Sequence, residues 1–190
     1  HTHTVPVLTY ALTAKNQYNN QLLENAVSII EMAQSAGYKT VWLSNQVRYG
    51  AWDTPISVIA SEADQQIWMN RNIGETTRTN CYDGVLAEKL KSLSYTDKML
   101  IVIHLMGNHG VYADRYPLSF EQFHGKGKRV DSYDNSILYN DSVMSQIYEA
   151  VHTIPHFQSM IYFSDHSEAA DQGLGHDSSN FIWPMTYIPF

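Results

Sequence analysis

A chain of 190 residues has the length of one domain and leaves little room for a second. Charged residues make up 16% and hydrophobic ones 44%, against about 25% and roughly 45 to 50% in an average globular domain, which argues for a packed core and against disorder. Twelve Lys and Arg against nineteen Asp and Glu leave a net charge of −7. With only Lys126, Lys128 and Arg129 clustered, a nucleic-acid-binding surface is excluded as the main function.

The longest apolar stretches, around 99–105 and 160–163, fall far short of the ~20 residues a membrane-spanning helix needs. The single cysteine, Cys81, permits no internal disulfide and reads as a small packing residue. The chain opens at His1 without an initiator Met and stops inside the apolar run 185–190. It therefore reads as one partial domain, 1–190, truncated at both ends, and a signal peptide or membrane anchor is expected upstream.

In chain order, the opening segment His1-Thr-His-Thr-Val-Pro6 lacks the run of histidines that marks a purification tag. From 20 to 36, apolar residues at Leu23, Val27, Ile30 and Ala33 have helical spacing, and Gly37 stands where a C-terminal cap belongs. Residues 38–43 are aromatic and β-branched and end in the polar Ser44-Asn45-Gln46, a strand running into a loop. A helix over 82–93 leads to a strand over 99–104. The basic loop 125–129 precedes a helix over 132–152, with Asp134 expected near its start as a cap. A third strand is expected over 159–164. Helices alternating with strands that are apolar on both faces predict a three-layer α/β sandwich, its mostly parallel central sheet covered by helices on both sides.

Open parallel sheets bind ligands beyond the carboxyl ends of their strands. Those ends are Ser44-Asn45-Gln46, His104-Leu-Met-Gly-Asn-His-Gly110 and Ser164-Asp-His-Ser-Glu168. Asp165 and His166 emerge together, and a carboxylate beside an imidazole suits zinc or manganese, although the same pair also serves as a helix cap and a surface histidine. His109 and His176 each lie next to glycine, where an imidazole can approach a phosphoryl oxygen. A Thr hydroxyl such as that of Thr4 becomes a nucleophile only when a base or metal takes its proton.

Taken in order, Thr2-His-Thr-Val-Pro-Val-Leu-Thr9, the 104–110 segment with Arg115-Tyr-Pro117, Tyr133-Asp-Asn135 with Asp141, and 164–168 followed by His176 resemble the catalytic domain of the bacterial phosphoethanolamine transferases. These belong to the alkaline phosphatase and sulfatase superfamily. The resemblance implies a zinc-dependent periplasmic domain, tethered to the inner membrane by an N-terminal anchor outside this chain. It implies that phosphoethanolamine passes from phosphatidylethanolamine to lipid A or the lipopolysaccharide core through a phospho-threonine. Thr4 then matches the nucleophile and a metal ligand. Asp165 and His166 match metal ligands, His109 and His176 match groups that bind the phosphoryl or move a proton, and Thr2, Asn45 and Gln46 lie near the substrate pocket.

Thr4, Asp165 and His166 supply three ligands where zinc takes about four, and the resemblance places the fourth, a carboxylate, in an upstream strand outside this chain. Relatives often carry several disulfides, which a lone Cys81 cannot make. Three alternatives stay open on the same fold: a phosphoglycerol transferase, a hydrolytic phosphodiesterase, or a sulfatase. The last lacks its Cys/Ser-x-Pro-x-Arg setting here. A catalytically dead lipid- or glycan-binding module is a fourth.

Overall fold

The computed structural model describes residues 1–50, 53–72 and 79–190. Its centre is a three-stranded parallel sheet of order β2-β1-β3, formed by β1 (Lys39–Ser44), β2 (Gln65–Trp68) and β3 (Met99–His104). The register pairs Ser44 with both Trp68 and His104, so β1 ends level with its two neighbours.

Alternation along the strands divides the core in two. Leu43, with Ile67, Ile101 and Ile103, faces Leu86, Leu90, Val143 and Ile147 from α4 (Gly84–Lys91) and α5 (Lys128–His152). Trp42, with Trp68, Leu100 and Val102, faces Leu8, Leu12, Ile30, Ile56 and Ile59. These come from α1 (Thr4–Leu12), α2 (Ile29–Ser35) and α3 (Thr54–Ser61). The result is the helix–sheet–helix sandwich that the alternating pattern predicts. None of its helices, among the described residues, is long and apolar enough to cross a membrane.

Three expectations are corrected. The helix expected over 20–36 is broken, because Ser28 accepts from the Glu31 amide while Glu31 reaches back to the Ser28 amide. That capping box starts α2 at Ile29, and only a short 3₁₀ turn precedes it. At its other end Gly37, at φ 82°, supplies the left-handed cap. Asp134 lies inside α5 rather than at its start. The residue that collects the amides of Gly125, Lys126 and Gly127 before the helix is Asp131. The 159–164 segment carries no strand pairing among the described residues, and Ile161 stands exposed. Finally, α1, α3 and β2 were not anticipated.

Candidate functional site

Beyond His104 the chain turns through Gly107, at φ 57°, and presents His109. This loop is held from below. The Asp83 carboxylate accepts from the amides of Met106 (3.0 Å) and Gly107 (2.7 Å). Arg115 donates to the carbonyls of His109 (3.1 Å) and Gly110 (3.2 Å). Val111 follows at φ 64°, a left-handed conformation that a β-branched residue adopts only under strain from its surroundings.

A cleft of about 350 Å³ opens beside this loop, lined by His3, Gly110, Val111, Tyr112, Arg129, Glu168, Gly175, His176 and Asp177. The chain's front and back meet here. The His3 ring lies 5.4 Å from that of His176, and His3 Nε2 is 3.3 Å from Ser178 Oγ. The His176 ring is in turn 4.0 Å from His166. Thr4 follows His3 as the first residue of α1, partly exposed, at a helix N-terminus whose free amides and dipole favour an anion. Thr2 is enclosed, and its hydroxyl has no partner among the described residues.

His166 Nε2 is 3.5 Å from Asp165 Oδ2, while its Nδ1 lies 3.2 Å from the Ser167 carbonyl. His176 Nδ1 is 2.6 Å from Glu168 Oε1, and the Tyr112 hydroxyl donates to Glu168 Oε2. With its Nδ1 proton held by the carboxylate, His176 keeps Nε2 for a ligand. Arg129 adds a cation 5.6 Å above the Tyr112 ring and donates to the Leu174 carbonyl at 2.9 Å.

The charges follow from these contacts. Burial pushes His109 below the ordinary imidazole value, helped by the nearby Arg115 charge. Burial also lowers His166, against the pull of Asp165. The Glu168 hydrogen bond raises His176. Burial would raise Glu168, but hydrogen bonds from His176 and Tyr112 outweigh it and the net direction is down. Burial lowers His104, half-buried behind the loop, to about 4.

One ligand atom each from His166, Glu168 and His176 lie within 4.8 Å of one another. Two imidazole nitrogens and a carboxylate oxygen with room for a further ligand make the donor set of a catalytic zinc, so these residues fit a divalent ion. Glu168 thus brings a carboxylate of this chain to the cluster. Sequence reasoning did not select Glu168 as a site residue. Its signal was the position two residues after His166 in a strand-end motif.

Asn45 and Gln46 behave differently from the expected substrate contacts. Asn45 is fully buried and donates to Asp83 Oδ1 at 2.8 Å and the Cys81 carbonyl at 3.1 Å, and Gln46 donates to the Leu105 carbonyl at 3.0 Å. Their side chains support the His109 loop. Cys81, half-buried, donates to Asn45 Oδ1, and burial pushes its thiol up.

An open parallel sheet covered by helices on both faces, with His109 beyond the end of β3 and His166, Glu168 and His176 on the 164–177 segment, defines an α/β protein of the alkaline phosphatase-like type. The Sulfatase family model matches residues 1–190, and the chain belongs to that family. Phosphoethanolamine transferase EptC of Escherichia coli K12 is 31% identical over 207 aligned positions, covering 99% of this chain. Phosphoethanolamine transferase CptA of Salmonella typhimurium is 31% identical over 180, covering 87%. The zinc complex of the C-terminal periplasmic domain of E. coli EptC superposes with a TM-score of 0.88 at 30% identity, covering 100% of this chain and 58% of that one. The chain spans 36% of the length of EptC and 31% of that of CptA.

Proposed function

We propose that this chain is part of the catalytic domain of a metal-dependent phosphoethanolamine transferase. It takes phosphoethanolamine from phosphatidylethanolamine and passes it to lipid A or the lipopolysaccharide core. Its place is the periplasmic face of the inner membrane. The relatives' names motivate the transferred group, and the observation that carries the reading is the meeting of His3, the residue before Thr4, with His176, whose ring lies against that of His166.

In this reading Thr4 Oγ forms a bond to phosphorus, the bond from phosphorus to the diacylglycerol oxygen breaks, and that oxygen leaves with a proton. The acceptor oxygen then displaces Thr4 Oγ from phosphorus. A divalent ion such as zinc would be held by His166 and Glu168, with Asp165 beside them, and would supply positive charge that favours the Thr4 alkoxide. Neutral His109 donates a hydrogen bond to an oxygen of the transferring phosphoryl, and the more basic His176 offsets the charge there. Partial exposure at a helix start supports Thr4 over the enclosed Thr2 as the nucleophile.

The test is Thr4→Ala in the full-length protein. Mass spectrometry of lipid A and core oligosaccharide from cells carrying it is expected to show no added phosphoethanolamine. The Thr4 peptide of the parent should carry a phosphoethanolamine adduct when the acceptor is withheld. Modification by Thr4→Ala at the parent's level removes the nucleophile assignment.

A further inference from the structure

Asp83 occupies the N-cap position of α4, where an aspartate ordinarily accepts from the amides of its own helix. Here it makes no such bond. Its carboxylate turns away, Oδ1 accepting from Asn45 Nδ2 and the Met106 amide, and Oδ2 from the Gly107 amide. Only 6% of the residue is exposed. Burial pushes its carboxyl up, opposed by those hydrogen bonds and by the Arg115 charge.

Enclosing a carboxylate is a poor way to gain stability, because its desolvation cancels much of what its partners return. What this carboxylate does give is geometry. Met106 and Gly107 lie three and two residues before His109, whose own amide reaches back to the Met106 carbonyl at 3.4 Å. On the far side Arg115 fixes the carbonyls of His109 and Gly110. The backbone of 106–110 is therefore pinned before and after the imidazole, by side chains that do not line the cleft.

We infer that Asp83 is a positioning residue: through the Met106 and Gly107 amides, and with Asn45 and Arg115, it aims the His109 imidazole at the transferring phosphoryl group. This rests on the transfer reading, since His109 must meet phosphoryl oxygens for its aim to matter. Asp83 itself touches no reacting atom. Asp83→Asn keeps the shape and one acceptor oxygen but replaces a charged oxygen with an amide, so the three donors it served can no longer all be satisfied.

The experiment uses the full-length protein. Peptide-resolved hydrogen exchange over 105–111 reads the brace, and transfer kinetics read the chemistry. Ser28→Ala, which removes the buried cap of α2, is the control for a structural loss away from the site. In Asp83→Asn, exchange over 105–111 is expected to rise by at least about 10-fold. kcat is expected to fall about 30-fold with KM changed less than about 3-fold, since misaiming a catalytic group costs transition-state rather than ground-state contacts. Ser28→Ala should show neither effect.

Unchanged exchange over 105–111, or kcat within about 2-fold of an active parent, overturns the inference. A parent that transfers nothing overturns the transfer reading instead, and the exchange result then decides the brace alone. If Asp83→Asn does not fold, Arg115→Lys, which removes the second carbonyl contact of the fork, is read by the same two criteria.

Discussion

The two loops that bring histidines to the cleft are held by different means. The 105–111 loop rests on side chains outside the cleft, those of half-buried Gln46 and buried Asp83 and Arg115, each bonded to its backbone. The 164–177 segment has backbone bonds from Ser167 to Met185 and from Ala169 to Gly175. Two of the side chains that support it, Glu168 and Arg129, themselves line the cleft. One half of the site is thus built without its ligands, and the other takes part of its order from residues a ligand would engage. A phosphotransfer site can use both kinds, a fixed imidazole for the phosphoryl and an adaptable group that closes on a metal.

The largest test of that contrast is metal removal. Chelating divalent ions from the full-length protein is expected to abolish transfer and to raise hydrogen exchange over 164–177 by at least about 10-fold, while 105–111 stays within about 2-fold. An equal rise in both segments would mean that the loops share one source of order.

His104 sits where the halves meet, at the end of β3, and it feels the charge of Asp165. Burial lowers it from 6.5 to about 4. Below pH 6.5 the unfolded chain takes up a proton that the folded chain refuses until about pH 4. Its contribution is therefore complete above pH 6.5 and lost as the pH falls toward 4, by up to about 3 kcal/mol. Urea unfolding of the wild type and His104→Gln between pH 7 and 4 measures it. The variant should lose less stability over that range, and parallel losses would show that His104 does not carry the effect.

Glu168→Gln sharpens the contrast from the adaptable side. The neutral amide can neither hold the His176 proton as strongly nor lend charge to a cation. Zinc affinity, read by competition with a chromophoric chelator, should fall about 10-fold or more, with exchange over 105–111 unchanged. Unaltered affinity would leave Glu168 without a part in holding metal.

How much of this was legible before the structure divides along the same line. The helix–strand alternation exposed the layered fold, because Met99–His104 is apolar on both faces and could only be a covered strand. The polar Gln65-Gln66 pair hid β2, and the local pull of Ser28 and Glu31 overrode the helical spacing of Leu23 and Val27. The 159–164 segment was apolar enough for a strand, but pairing is a long-range fact that periodicity cannot contain. In the site, the histidines stood out beside glycines and strand ends. The roles of Asp83 and Arg115 did not, because they depend on backbone groups 23 and 24 residues away for Asp83 and five and six for Arg115. An Asp just before a helix looks like a cap until its carboxylate is seen to turn elsewhere.

The smallest expected effect lies at Asp53, which belongs to neither loop. It precedes α3, is half-buried and has Oδ2 without a partner among the described residues. Burial raises its carboxyl from 3.8 to about 6. The folded state therefore favours the proton: what Asp53 contributes is present below pH 3.8 and lost as the pH rises through 6. At pH 7.5 the half-solvated, ionised carboxylate costs about 1 kcal/mol once solvent screening is allowed for. Asp53→Asn should recover that amount at pH 7.5 and nothing at pH 4, with kcat unchanged, as read from urea midpoints at the two pH values. A gain of equal size at both would assign it to the missing hydrogen bond rather than the charge. A change in kcat would tie α3 to the site, and the division between a self-supporting and a ligand-dependent half would then have to include a third element.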